Sequence, residues 1–178
     1  MSGFFSKAQK TIFKVDDFDY VEAVDLTAGF KVREFIQNVS GISYVPYVVQ
    51  DGERPDNVAN KAYDDPTLDW TVLIANNIQN IYDEWPKDSE TFKQYIIEKY
   101  GSLETAMATV KYYYDGSGNI INSADYGVLS SNSGKRTETD YQYETRVNIN
   151  KSKIRLFRPS IAKSMSSLLR NIDRKPII

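Results

Sequence analysis

The side chains in this sequence that could do chemistry are carboxylates. Asp64, Asp65, Asp69, Asp83 and Glu84 lie close together along the chain, among Tyr63, Trp70, Tyr82 and Trp85. Two acids about 5 to 9 Å apart beside rings that stack on sugars are the requirement of a glycosidase. The same residues have a simpler use: Asp64 and Asp65 suit a turn and a helix cap, and Asp69 suits the outer side of a helix. Asp115, Gly116, Ser117, Gly118 and Asn119 have the composition of a calcium loop, but lack its length and its downstream Glu. They read as a hairpin turn. No Gly-Lys-Ser/Thr follows Gly118, so the glycines are not a phosphate loop either. With no cysteine and no histidine in 178 residues, disulfides, thiolate or imidazole metal sites, Cys nucleophiles and Ser-His triads are excluded. No catalytic residue, metal or cofactor is expected.

Charge is divided along the chain. The formal total of −2 splits into a body of −9, residues 1–150, and a tail of +7, residues 151–178. Lys151, Lys153, Arg155, Arg158, Lys163, Arg170, Arg174 and Lys175 face one acid, Asp173. Such asymmetry points to a partner of opposite sign. Nucleic acid is disfavoured: the basic residues are interrupted by a regular apolar stripe, and Phe157 is the tail's single aromatic residue. No apolar run approaches the roughly 20 residues of a membrane span, and the first residues lack the pattern of a signal peptide. Synthesis and use in a cytoplasm are expected.

The elements that must position these residues are readable in part. Residues 1–43 are mixed: Val32, Phe35, Ile36 and Val39 suit one face of a helix, while residues 30–36 also alternate like a strand. From Tyr44 to Gln50 β-branched and aromatic residues predict a strand, with Pro46 at its edge or start and a turn at Asp51 and Gly52. Pro55 opens a short helix with Val58, Ala59, Ala62 and Tyr63 inward. Asp65 and Pro66 cap and start a second, with Trp70, Leu73 and Ile74 as its stripe. Asp88 and Ser89 cap a third, with Phe92, Tyr95, Ile96 and Tyr100 inward and Gly101 as its stop. Residues 109–122 predict a β-hairpin. Residues 127–139 read as a mobile polar loop, and residues 141–150 are ambiguous. Ile154 and Leu156 alternate as in a strand. Pro159 opens a last helix with Ile161, Met165, Leu168, Leu169 and Ile172 inward and a basic back.

Thirteen tyrosines, two tryptophans and eight phenylalanines make 23 aromatic residues, most of which a core would take up. Runs such as Tyr112 to Tyr114 place rings on both faces of one element, so at least one face must meet another surface or stay exposed. Tyr112 and Tyr114 therefore join Arg155, Arg158, Lys163, Arg170 and Arg174 as candidate interface residues.

Residues 51–76 resemble the LysM module: Val58 and Ala59 on the first helix, Tyr63-Asp-Asp-Pro66 between helices, Trp70 and Leu73 in the second, and Ala75-Asn76 at its end. Tyr63, Asp65, Pro66, Trp70, Leu73 and Asn76 are the core motif. Two departures stand out. Asp64 replaces the usual turn glycine, and Arg54-Pro55-Asp56 replaces the Asp-Thr that often touches sugar. A wider set, including Asp51 to Asp56, Asn76-Asn77 and Tyr82-Asp-Glu-Trp-Pro86, resembles the LysM-containing baseplate wedge subunit of T-even-like contractile-tailed phages, especially their cyanophage relatives. That resemblance extends over about three quarters of the chain.

The fold class expected is α+β: a LysM-like βααβ core with a large insertion and two terminal arms. Its parts are an N-terminal arm (1–43), a LysM-like strand and two helices (44–78), a helix and tyrosine-rich hairpin (79–126), a flexible loop (127–140), and a returning strand with a basic helix (141–178). The resemblance implies a non-enzymatic virion protein, made in the host cytoplasm and placed in the tail baseplate. Its implied partners are other wedge proteins, neighbouring wedges in a six-fold assembly, and hub or sheath-proximal proteins, with no nucleic acid and no membrane. The alternative is a LysM-type peptidoglycan-binding module.

Overall fold

The structure, a computed structural model, describes residues 10–14, 20–24, 34, 36, 44–131 and 133–170. Strands β1 (Lys10–Lys14) and β2 (Tyr20–Val24) pair antiparallel, Lys10 opposite Val24 and Lys14 opposite Tyr20. Glu34 and Ile36 are helical, while Val32, Phe35 and Val39 lie outside the described residues. The chain divides into two compact units.

The first unit contains residues 1–49, 53–81 and 154–178. Here β3 (Tyr44–Val48) is followed by helix α1 (Pro55–Tyr63), a 3-10 turn (Pro66–Leu68) and helix α2 (Asp69–Ala75). Strand β7 (Lys153–Phe157) then returns as β3's neighbour in a two-stranded sheet. Pro46 is exposed in β3 and has no N–H to donate to a ladder. Helix α8 (Pro159–Arg170) closes the described chain and meets α1. Val58, Ala59, Leu68, Val72, Ala162 and Met165 are fully or almost fully buried, with Trp70, Ile154, Leu156 and Phe157 beside them. Burial alternates along β7 from exposed Lys153 to buried Leu156, so a period of two puts its apolar face inward.

The second unit contains residues 50–52 and 82–153. Helix α3 (Ile81–Glu84) enters it. Helix α4 (Ser89–Tyr100) starts at Asp88, whose carboxylate accepts from the amides of Glu90 and Thr91, and stops at Gly101, φ 86°. Helix α5 (Leu103–Ala108), capped by Ser102, leads into β4 (Val110–Tyr114). β5 (Ile120–Ile121) completes the expected hairpin, Tyr114 opposite Ile120.

Two segments differ from the sequence reading. Residues 127–139 are not simply a loop: α6 (Ser123–Val128) runs into them, and β6 (Arg136–Thr139) pairs antiparallel with β4. The strand is polar because tyrosines and ion pairs, not aliphatic side chains, hold it. The ambiguous residues 141–150 lie inside helix α7 (Asp140–Ser152), started by a capping box of Thr139 and Gln142. Its buried residues include Asp140 and Glu144, which hid its inward face from a hydrophobic pattern. Trp85, Ile96 and Ala106 are the buried apolar side chains of this unit among the described residues.

Candidate functional site

Each residue of the LysM-like motif has a local task. Asp64 ends α1 in the left-handed region, φ 59°, where glycine is the unstrained choice. Asp65 accepts from the Thr67 amide at 2.9 Å and also from its hydroxyl, and Pro66 fills the first position of the 3-10 turn. Tyr63 and Trp70 are buried, Leu73 partly so. Burial pushes the Tyr63 phenol up.

Asn76 does more than end a helix. Its Nδ2 donates to Val72 O and to Arg155 O, both at 2.8 Å, while its Oδ1 accepts from Arg155 N at 2.9 Å. The side-chain amide thus makes both bonds of a ladder rung with the backbone of β7. Arg155 answers with its own side chain: Nε donates to Ala75 O at 2.6 Å, and the guanidinium lies 4.5 Å from the Tyr44 ring centroid. Tyr44 in turn meets Phe157 at 5.2 Å. One clamp therefore joins the end of α2 to both strands of the sheet. Nearby, the Tyr47 hydroxyl donates to Glu53 at 3.0 Å, and Lys61 pairs with the same largely buried carboxylate, tying β3 to α1.

In the second unit the tyrosines and cations serve each other. Tyr112 meets Tyr114 at 6.4 Å and Tyr143 at 5.7 Å. Arg136 lies over Tyr114, and Lys111 over Tyr143. Glu138 accepts from Tyr114 at 2.7 Å and from Arg146 Nε and an Arg146 terminal nitrogen at 2.7 and 3.1 Å. The Arg146 bonds hold the Glu138 carboxyl below its usual range against the opposing effect of burial. Glu144, 5% exposed, accepts from Lys99 at 2.8 Å, Tyr100 at 2.8 Å and Tyr95 at 3.2 Å. Burial acts to raise this carboxyl, and the bonds from Lys99 and the two phenols outweigh it and lower it. Its hydrogen bond with Glu144 raises Lys99. The sequence signal for this hub was the Tyr95, Lys99 spacing on one helix face, which leaves the required acid unnamed.

Several of the acids named as catalytic candidates have local structural positions. Asp83 and Glu84 are consecutive on one exposed turn, so their side chains diverge by about 100°. Asp69 accepts from the Trp70 amide. Asp115 accepts from the amides of Ser117 and Asn119 and from the Asn119 side chain, closing a hairpin turn.

The candidate interface residues fall into two sets. Arg155, Tyr112 and Tyr114 are engaged internally, as above. Arg158 and Lys163 are exposed, and among the described residues their cationic groups have no partner. Arg170 ends α8, and Arg174 lies outside the described residues.

The family model described as "Base plate wedge protein 53" matches residues 4–149. The chain belongs to this family. A curated relative, baseplate wedge protein gp53 of Enterobacteria phage T4, is 25% identical over 114 residues, 62% of this chain. The chain spans 57% of that relative's length. Membership agrees with the wedge-subunit resemblance read from residues 47–86. The family match stops before β7 and α8, so the Asn76 clamp joins a residue inside the matched segment to a strand outside it.

Proposed function

We propose that this chain is a structural subunit of the tail baseplate wedge, which joins neighbouring wedge subunits and adjacent wedges as the baseplate assembles around the hub in the virion. Family membership over residues 4–149 is the observation that carries the reading. The core is LysM-like in this proposal: β3, α1, α2 and β7 give the order strand, helix, helix, strand, and residues 82–153 are an insertion before the last strand. The pairing of β3 with β7 and the division of the chain at those points support that description.

A mixture of the purified chain with the other wedge proteins tests the function, read as a stable complex by size-exclusion chromatography. Failure to enter any complex, whatever the wedge composition, would sink the proposal. Retention on peptidoglycan is not expected. The Asp51 carboxylate at the strand-to-helix turn is already occupied, accepting from Ser89 N at 2.8 Å and Ser89 Oγ at 2.9 Å. In place of the sugar-touching Asp-Thr stand Arg54 and Pro55, with Arg54 paired to Asp56 at 3.3 Å.

A further inference from the structure

We infer that the exposed side of α8, with Arg158 at its start and Lys163 on its first turns, docks an acidic surface on a second copy of this chain. The inference rests on how cations are used elsewhere. Among the described basic side chains between Tyr44 and Phe157, all but Lys93 bond a carboxylate, a carbonyl, an amide oxygen or a ring. Lys99, Lys111 and Arg146 pair with Glu144, Asp140 and Glu138. Lys87, Lys135 and Lys151 donate to backbone carbonyls, and Arg155 does so while stacked on Tyr44. The positive tail read from the sequence is therefore partly internal. Arg158 and Lys163 remain outward with no partner among the described residues, and the sequence beyond them adds Arg170, Arg174 and Lys175.

The chemistry of this face favours an acidic protein over a nucleic acid. Phosphate recognition combines cations with hydroxyl donors and often with stacking rings. On α8 the Ser164 and Ser167 hydroxyls donate back to Ser160 O and Lys163 O at 2.8 and 3.1 Å, and the helix carries no aromatic residue. What the face offers outward is positive charge between small side chains. The complementary surface exists on the same chain. On α4, Glu90, Gln94 and Glu98 succeed one another at i, i+4 and i+8, all exposed, and Glu104 follows on α5. Glu90 bonds Gln94, and none of the three glutamates is in an ion pair among the described residues. A basic face and an acidic face at different places on one chain make a head-to-tail contact, which closes into a ring or extends. Such charge matching acts on the encounter and on register more than on affinity.

Sedimentation velocity of the full chain at about 0.05 M and about 0.5 M salt reads this directly, because screening shortens the reach of exposed charges. The wild type should associate at the lower salt and weaken about tenfold or more at the higher. Arg158→Glu with Lys163→Glu should abolish association, and so should Glu90→Lys with Glu98→Lys. An equimolar mixture of these two double variants should recover a dimer, since each retains one intact face. All four positions are exposed, so matching thermal melts would show that folding is kept. A wild type that stays monomeric at low salt overturns the inference, as does association that ignores these substitutions. Loss of single-stranded oligonucleotide binding in the basic-face variant, with self-association unchanged, would assign the face to nucleic acid instead. The inference builds on the baseplate reading, and the two can fail separately: a chain that enters wedge complexes but never self-associates removes only this contact.

Discussion

Asn76→Ala should destabilise the first unit through the backbone of β7. The substitution removes three hydrogen bonds: two from Nδ2, to Val72 O and Arg155 O, and one from Arg155 N to Oδ1. A net hydrogen bond contributes about 0.5 to 1.5 kcal/mol. Arg155 is exposed, so water can reach its freed backbone groups and the full penalty of burying them is avoided. The expected loss is about 2 kcal/mol. Denaturant unfolding followed by fluorescence can report it, because Trp70 lies in the first unit and Trp85 in the second; a Trp85→Phe background isolates Trp70. Asn76→Asp adds a diagnostic. Ionised, it keeps the bond from Arg155 N but turns a carboxylate toward two carbonyls. Protonated, it regains one donor. With two carbonyls facing it, its folded pKa is expected above the unfolded value of about 3.9, against the opposing pull of the Arg155 guanidinium beside it. The recovered stability is present below that value and is lost as pH rises through the folded pKa. A loss under about 0.5 kcal/mol for Asn76→Ala, or an Asp variant indifferent to acid, would refute the claim that this amide supports β7.

In the second unit, Glu144→Gln should cost about 2 to 3 kcal/mol, read as a lower thermal midpoint, because Lys99 and two phenols lose a charged acceptor. The wild type should lose the same contribution in acid: the folded carboxyl is lowered, so its stabilisation is present above the unfolded value of about 4.3 and fades as pH falls through the folded pKa. Glu144→Gln should flatten that acid limb, as seen by near-ultraviolet circular dichroism. Asp64→Gly should raise stability by about 0.5 to 1 kcal/mol in a denaturant melt, since it relieves a left-handed residue. Gly116→Ala should lower it by about 1 to 3 kcal/mol, because a Cβ there would sit 1.8 Å from the Ser133 carbonyl oxygen.

How legible these features were depends on which force builds them. Helix α1, the 3-10 turn, α2 and α4 are announced by proline, by capping Asp and by apolar residues at helical spacing, all of which act within a few residues. That residues 153–157 form a strand was readable because Ile154 and Leu156 alternate with charges; its return to β3 followed from the LysM resemblance, with the tyrosine hairpin as a rival for the same edge. Helix α7 and strand β6 were not readable, since their inward residues are Asp140, Glu144 and Glu138, which an apolar pattern counts as outward. Polar residues become core residues only when their partners arrive from far along the chain, as Lys99 and Tyr100 do for Glu144. Among the candidate interface residues, Arg155, Tyr112 and Tyr114 also make internal contacts that were hidden for the same reason: a cation or phenol looks available in sequence until its acceptor is placed. Arg158 and Lys163 stay exposed because α8 buries its other side through Ala162 and Met165.

The two units thus rest on different physics. The first buries a conventional apolar set, whose contribution changes little with pH or salt. The second has fewer buried aliphatic side chains and relies on rings, phenols and charge pairs centred on Glu138, Asp140 and Glu144, each of which needs an ionised carboxylate. Acid should therefore loosen the second unit before the first, and the order is observable: Trp85 emission should shift at a higher pH than Trp70 emission. Apolar packing tolerates small shifts of a side chain, whereas a hydrogen-bonded ion pair fixes direction as well as distance. In the second unit Tyr95, Tyr100 and Tyr114 take part in that directional fixing through their hydroxyls on Glu144 and Glu138. Simultaneous unfolding of both units in acid would instead mean that the carboxylates are incidental and that one cooperative core governs the whole chain.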